Sequence, residues 1–173
     1  MDIENRVDET VRVSYLELLQ APALAARGVR LERIATERLT VEGYLDLYRA
    51  VGTPVKWDQR LKMPREDLRA LLDSEFVRIY VLKDEVDRAL GMCEFDRSGL
   101  PEIELKNFGL IPEAQGRGLG SWLLRSALTQ EWSFSPSRIW LHTDSWDHPA
   151  AIRTYESAGF RIYLVRDEPS GDL

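Results

Sequence analysis

The chain has few residues that could staple it together. A single cysteine, Cys93, in 173 residues excludes an internal disulfide. With no second cysteine and only two histidines, His142 and His148, the sequence offers no ligand set for a structural metal, and none is expected. No apolar run approaches the roughly 18 residues of a membrane span. The opening Met1-Asp2-Ile3-Glu4-Asn5 is polar and acidic, without a signal-peptide pattern, so a cytoplasmic protein with no membrane partner is the expectation. Cations are fewer than anions, 23 Lys and Arg against 29 Asp and Glu. The net charge of −6 argues against a nucleic-acid partner and is compatible with a cationic amine substrate.

What is present is an ordinary globular composition, 44% hydrophobic and 30% charged, at a length suited to one domain with a two-layer core. One stretch organises it: Gln115-Gly116-Arg117-Gly118-Leu119-Gly120. Glycines at every second position remove Cβ where backbone turns tightly or approaches a ligand. Ile103 to Leu110 reads as a strand before it, and Leu119, Trp122, Leu123 and Ala127 recur at helical spacing after it. Strand, glycine turn and helix start together present free amides at a positive helix end, a place for a phosphate or pyrophosphate. A P-loop is not supported, because Lys and Ser or Thr are missing at Walker spacing. A dinucleotide fold would begin with such a turn, whereas this one lies two-thirds along the chain.

The rest of the chain falls into alternating elements. Residues 1–29 read as an N-terminal extension, in which Val11 to Leu19 could add an edge strand or serve as an arm in a homodimer. The domain proper is expected over 30–173. Val29 to Ala35 alternates as a half-buried strand, and Thr40 caps a helix carrying Val41, Tyr44, Leu45, Leu47 and Tyr48. Thr53 to Met63 reads as a long charged loop holding Trp57, and Pro64 opens a short helix to Leu72. Strands are expected over Phe76–Leu82, Ala89–Phe95, Glu102–Leu110, Arg138–Asp144 and Phe160–Val165, and helices after the glycine turn and over 148–158. Cys93 sits in one of these strands and reads as a buried structural thiol rather than a nucleophile. The order gives an α/β layer fold whose strands around the glycine helix are parallel and whose others are mostly antiparallel.

The glycine stretch resembles the Q/R-x-x-G-x-G/A signature of the GNAT superfamily of N-acetyltransferases, with Gln115, Gly118 and Gly120 at its fixed positions. A second stretch, His148 to Phe160, is similar to that superfamily's N-x-x-A-x-x-x-Y-x-x-x-G-F helix, with His148 where Asn is usual. The resemblance covers about residues 30–167. It implies a mixed, mostly antiparallel sheet with a splayed parallel strand pair, flanked by helices, and acetyl-CoA as co-substrate. It also implies that the diphosphate lies on Gln115, Gly116, Arg117, Gly118, Leu119, Gly120 and Ser121, and that the pantetheine arm runs along Phe108, Gly109 and Leu110 and past His148.

Two residues carry the implied chemistry. Attack on a thioester needs a neutral amine, and an alkylamine with a pKa near 10.4 needs a base at pH 7. Glu104 matches the place of a glutamate base in several relatives, and strand alternation puts Glu102, Glu104, Lys106, Phe108 and Leu110 on one face if no bulge intervenes. A surface carboxylate paired with Lys106 is the alternative, and Glu102 is the next candidate. Tyr155 matches the tyrosine that protonates the departing thiolate, with simple packing as its alternative. Asp147 reads as a helix cap. Trp57 and Asp144 are candidates for the acceptor side. The expected activity is acetyl transfer to a primary amine of a small molecule, with a protein or peptide acetyltransferase and a non-catalytic acyl-CoA-binding domain as alternatives.

Overall fold

A computed structural model of the chain describes residues 9–24, 32–36 and 38–170. Its elements in order are β1 (Thr10–Leu18), β2 (Arg33–Thr36), α1 (Val41–Gly52), α2 (Gln59–Lys62), α3 (Arg65–Asp73), β3 (Val77–Lys83), β4 (Ala89–Asp96) and β5 (Glu102–Leu110). After these come α4 (Leu119–Trp132), β6 (Arg138–Asp144), α5 (Ala151–Ala158) and β7 (Arg161–Pro169). The strands form one sheet in the order β2-β3-β4-β5-β6-β1-β7, antiparallel throughout except for β5 with β6. This is the mixed, mostly antiparallel α/β fold expected, with helices on both faces.

The parallel pair is short. Glu102, Ile103 and Glu104 pair with Arg138, Ile139 and Trp140, and beyond them the two strands separate. β5 then stays on β4 alone, as far as Leu110 opposite Gly91. The splay opens the middle of the sheet, and the helices line the opening from both sides. Gly109 lies under α1, where a Cβ would come within 2.5 Å of Val51. Phe108 faces the other way, onto Tyr155 of α5 at 5.8 Å between ring centroids.

Three expectations are corrected. The segment Val11–Leu19 is not an edge strand: β1 lies inside the sheet, antiparallel to both β6 and β7, with Val13 and Leu16 fully buried. β7 is the edge instead, and Ile162 to Val165 are exposed on it. The segment 53–63 is not a long loop; Trp57 follows a single helical turn (Thr53–Val55), and α2 follows Trp57. The face predicted for β5 is broken by a bulge. Leu105 pairs with Phe95 and Asn107 with Glu94, leaving Lys106 as the extra residue. Glu104, Asn107 and Gly109 therefore share the α1 face, while Ile103, Leu105, Phe108 and Leu110 share the α4 and α5 face.

Local chemistry explains the helix ends nearest the opening. Thr40 caps α1 as expected, its Oγ1 accepting from Gly43 N at 3.1 Å. Gly118 precedes α4 as its N-cap and offers no side-chain cap, which leaves the first amides of the helix without partners inside it. α5 begins at Ala151, three residues later than predicted, because Asp147 and His148 are used elsewhere. Among the described residues no helix is long and apolar enough to cross a membrane.

Candidate active site

The splay holds a cavity of about 480 Å³, a size suited to a cofactor-like ligand. Its floor is the half of β5 that has parted from β6, with Phe108, Gly109 and Leu110 on the wall. At one end are Gln115, Gly116, Gly118, Gly120 and Ser121; at the other are Trp57, His142, Asp144, Trp146 and Asp147. His148 and Tyr155 lie on the wall as well.

The glycine end fits a phosphate-bearing ligand on its own geometry. Gly116 and Gly118 have φ of +76° and +72°, a left-handed backbone that costs other residues about 1–2 kcal/mol. A Cβ on either would meet nothing within 4 Å, so the space beside the turn is open. At Gly120 a Cβ would sit 3.6 Å from Leu110 and 3.7 Å from Phe108, which keeps the turn close to the β5 floor. Gln115 holds the turn from behind, its Nε2 donating to the Leu110 carbonyl at 3.3 Å. Two residues expected to contact cofactor do not line the cavity. Arg117 is half exposed and pairs with Glu32, and the Leu119 side chain is buried in the core.

Tyr155 is buried among Phe108 and Phe160, with ring centroids at 5.8 and 6.0 Å. Its hydroxyl has no hydrogen-bond partner among the described residues, although the residue lines the cavity. Burial, with the charge of Asp147 next, raises its pKa well above 10.0 and keeps it protonated. His148 does not simply take the place of an asparagine. Its Nδ1 accepts from Ala150 N at 3.1 Å, which ties the ring to the loop before α5.

Glu104 stands behind the cavity rather than on its wall. Its Oε1 accepts from Lys106 Nζ at 3.1 Å and lies 4.0 Å from His142 Nε2, which does face the cavity. Glu102 is taken up by Arg138 at 3.0 Å, near the start of the strand. Asp144 Oδ1 accepts from Trp146 N at 2.7 Å.

Asp147, read from the sequence as a cap, is instead part of the wall. It accepts from the hydroxyl of Thr143, from Asp144 N at 3.4 Å and from Trp57 Nε1 at 3.4 Å. Burial raises its pKa above the ordinary 3.8, with the bond from Thr143 working against that shift. Trp57 in turn packs on Tyr48, with ring centroids 5.3 Å apart. A buried carboxylate network supports this end: Glu94 accepts from Arg60 at 2.6 Å, from Tyr44 at 2.5 Å and from Asn107 at 3.1 Å. That network ties α2, α1 and the β5 bulge together. The spacing of Ile103, Leu105, Phe108 and Leu110, which skips a step after Leu105, is the sequence signal that marks the bulge.

Comparison with known proteins agrees with this geometry. Residues 42–160 match the acetyltransferase (GNAT) family. Over 70 residues the chain is 37% identical to mycothiol acetyltransferase of Mycobacteroides abscessus, covering 40% of this chain and 23% of that protein. Its fold is similar to that of a GNAT-family chain from Novosphingobium aromaticivorans, with a TM-score of 0.66 and 21% identity over 94% of this chain and 64% of that one. It is also similar to the ribosomal-protein-S18-alanine N-acetyltransferase of Escherichia coli, with a TM-score of 0.61 and 19% identity over 77% and 79% of the two chains. The chain thus spans less than two thirds of the first two of these relatives. With the family match covering more than half of its length and the glycine turn, splay and tyrosine helix in place, the chain belongs to the acetyltransferase (GNAT) family.

Proposed function

We propose that the chain is an acetyl-CoA-dependent N-acetyltransferase that acetylates a primary amine of a small molecule by direct attack in a ternary complex, in the cytoplasm. The observation that carries this reading is one continuous cavity running from the glycine turn, past the Tyr155 hydroxyl, to the wall of Trp57, Asp144 and Asp147. When bound, acetyl-CoA supplies a thioester carbonyl open to nucleophilic attack. The amides of Gly116, Gly118, Gly120 and Ser121 hold its diphosphate at the positive end of α4. Phe108, Gly109 and Leu110 provide the strand edge along which its arm lies.

The acceptor nitrogen must lose a proton before or during attack. Glu104 receives it by way of His142, which lines the cavity, and a water that bridges the 4.0 Å between Nε2 and the carboxylate. The nitrogen-to-carbon bond forms as the carbon-to-sulfur bond breaks, and the Tyr155 hydroxyl gives its proton to the leaving sulfur. Trp57 and Asp144 contact the acceptor. The size of the cavity and its aromatic wall favour a small molecule over a peptide.

Thiol release from acetyl-CoA, followed against a panel of amines, amino acids and peptides, tests the reading. Release with small primary amines supports it, and release with peptides alone overturns the acceptor class. In Tyr155→Phe the ring packing stays and only the proton is removed, so kcat should fall about 10²–10⁴-fold. A fall below about threefold in a folded variant removes Tyr155 as the acid. Gly118→Val should abolish acetyl-CoA binding by calorimetry while the protein stays folded; unchanged affinity would remove the turn from the site.

A further inference from the structure

We infer that Asp147 is the residue that recognises the acceptor, holding it in its cationic ammonium form against the Trp57 and Trp146 side of the cavity, so that the substrate class is cationic alkyl- or arylalkylamines. This rests on the amine-acetylating reading above and adds a residue to it. Asp147 lies on the cavity wall between Trp57 and the tyrosine, near enough for its charge to act on Tyr155.

Among the described residues the Asp147 carboxylate has no charged partner. Its hydrogen-bond partners are a hydroxyl, an indole N–H and a backbone N–H, all neutral. Among the described residues no Lys, Arg or His nitrogen comes within 4.0 Å of it. His148, next in the chain, turns its Nδ1 to Ala150 N rather than to Asp147. Among the described residues Oδ1 has only the contact from Trp57, which at 3.4 Å is long for a hydrogen bond. An ionised carboxylate has about four acceptor positions, so capacity remains on the atom nearest the indole.

A half-buried carboxylate without a counter-ion has lost part of its hydration, and a ligand cation offsets that loss. The indoles of Trp57 and Trp146 add faces that attract a cation, and Lys56 already lies 4.5 Å from the Trp146 ring centroid. Lys56 stands over the outer indole, which leaves the inner wall at Trp57 and Asp147 as the place for the ligand's charge. Held there, the amine has Asp147 on one side and His142 with Glu104 toward the proton's exit. Asp147 therefore governs binding, and Glu104 governs turnover.

The test uses phenethyltrimethylammonium, a cation with no N–H to acetylate, with phenethyl alcohol as its neutral counterpart. Binding is measured by calorimetry on the full chain saturated with CoA. The wild type should prefer the cation, and Asp147→Asn should weaken cation binding about 10–100-fold while leaving the alcohol and CoA unchanged. Asp147→Glu, which keeps the charge, should recover part of the loss. Equal cation affinity in wild type and Asp147→Asn overturns the inference, as does a wild type that binds the alcohol as well as the cation. With phenethylamine as substrate, Asp147→Asn should raise KM and change kcat little; a lowered kcat at unchanged KM would make Asp147 the base and overturn the binding role. If the wild type binds the cation through Asp147 yet releases no CoA with any amine, the recognition site stands and the acetyl-transfer reading falls.

Discussion

Two regions of this molecule draw a carboxylate out of water, one fully and one in part, and they treat it in opposite ways. At the C-terminal end of α4, Glu131 is completely buried, and both of its oxygens are occupied by Arg97 at 2.7 Å, with Tyr80 donating at 2.7 Å. In the cavity, Asp147 has, among the described residues, three neutral donors and no cation. Burial of a charge is tolerated where a partner offsets it. At Glu131 the partner is built into the chain and joins β3, β4 and α4. At Asp147 the corresponding place is left to the cavity. The contrast separates a carboxylate that fixes the fold from one that waits for a ligand.

The contrast breaks most sharply if the fixed pair is opened. Arg97→Met leaves Glu131 buried without a cation and should cost about 3–5 kcal/mol, read from the urea midpoint, with acetyl-CoA affinity unchanged in the folded fraction. Adding Glu131→Gln to the same chain should return much of that loss, because the stranded charge goes with it. A cost below about 1 kcal/mol for the single change would mean that water reaches Glu131.

Glu104 lies between the two cases, half enclosed and bonded to Lys106 at 3.1 Å. Glu104→Gln should lower kcat about 10²-fold near pH 7, with part of the loss returning toward pH 9 as free amine accumulates. A wild-type rate from pH 6 to 9 would leave Glu104 a partner of Lys106 and nothing more.

Arg60 tests the supporting network. Glu94 keeps Tyr44 and Asn107 when Arg60→Met removes the cation, so the cost should be nearer 1.5–3 kcal/mol. Because α2 adjoins Trp57, KM for the amine should rise with the loss of stability, whereas Arg97→Met should leave KM alone. Identical effects of the two changes on KM would deny Glu94 any part in shaping the acceptor wall.

How much of this was legible in the sequence divides along the same line. The glycine turn, Thr40 cap and helix α5 follow from local rules, left-handed φ at glycine, a hydroxyl cap and apolar spacing, whereas Tyr155 was singled out by the family resemblance. What depended on pairing between distant segments was hidden. The place of β1 between β6 and β7 depends on hydrogen bonds to residues more than 100 positions away, and alternation in V-R-V-S-Y-L does not say how many neighbours a strand has. The bulge at Lys106 was within reach, since the apolar positions 103, 105, 108 and 110 skip a step there. Its omission put Glu104 on the face of Phe108, the wrong side of the sheet. Asp147 was hidden for a different reason. A carboxylate before a proline and a helix looks like a cap, and only the tertiary placement of Thr143 and Trp57 gives it another use.

The smallest expected effect tests the contrast most directly, because its sign is opposite to that of the usual carboxylate. Burial raises the folded-state pKa of Asp147 above 3.8. A group raised in the folded state contributes stability below its unfolded pKa and loses that contribution as pH rises through the folded value. At pH 7 the ionised side chain therefore counts against the fold. Asp147→Asn, which does not titrate, should be slightly more stable than wild type at pH 7, and the gain should shrink as pH falls toward 4. Removing Glu131's charge by Glu131→Gln should bring no such gain, since Arg97 would then lose its partner. Supplying the missing cation should reverse the order at Asp147. With phenethyltrimethylammonium at about 100 times its Kd, the wild type gains about 2.7 kcal/mol by linkage, and the Asn variant gains much less at the same concentration. An Asn variant that is less stable than wild type at pH 7 would show that the carboxylate serves Thr143 and Trp57 first, making Asp147 a structural group like Glu131.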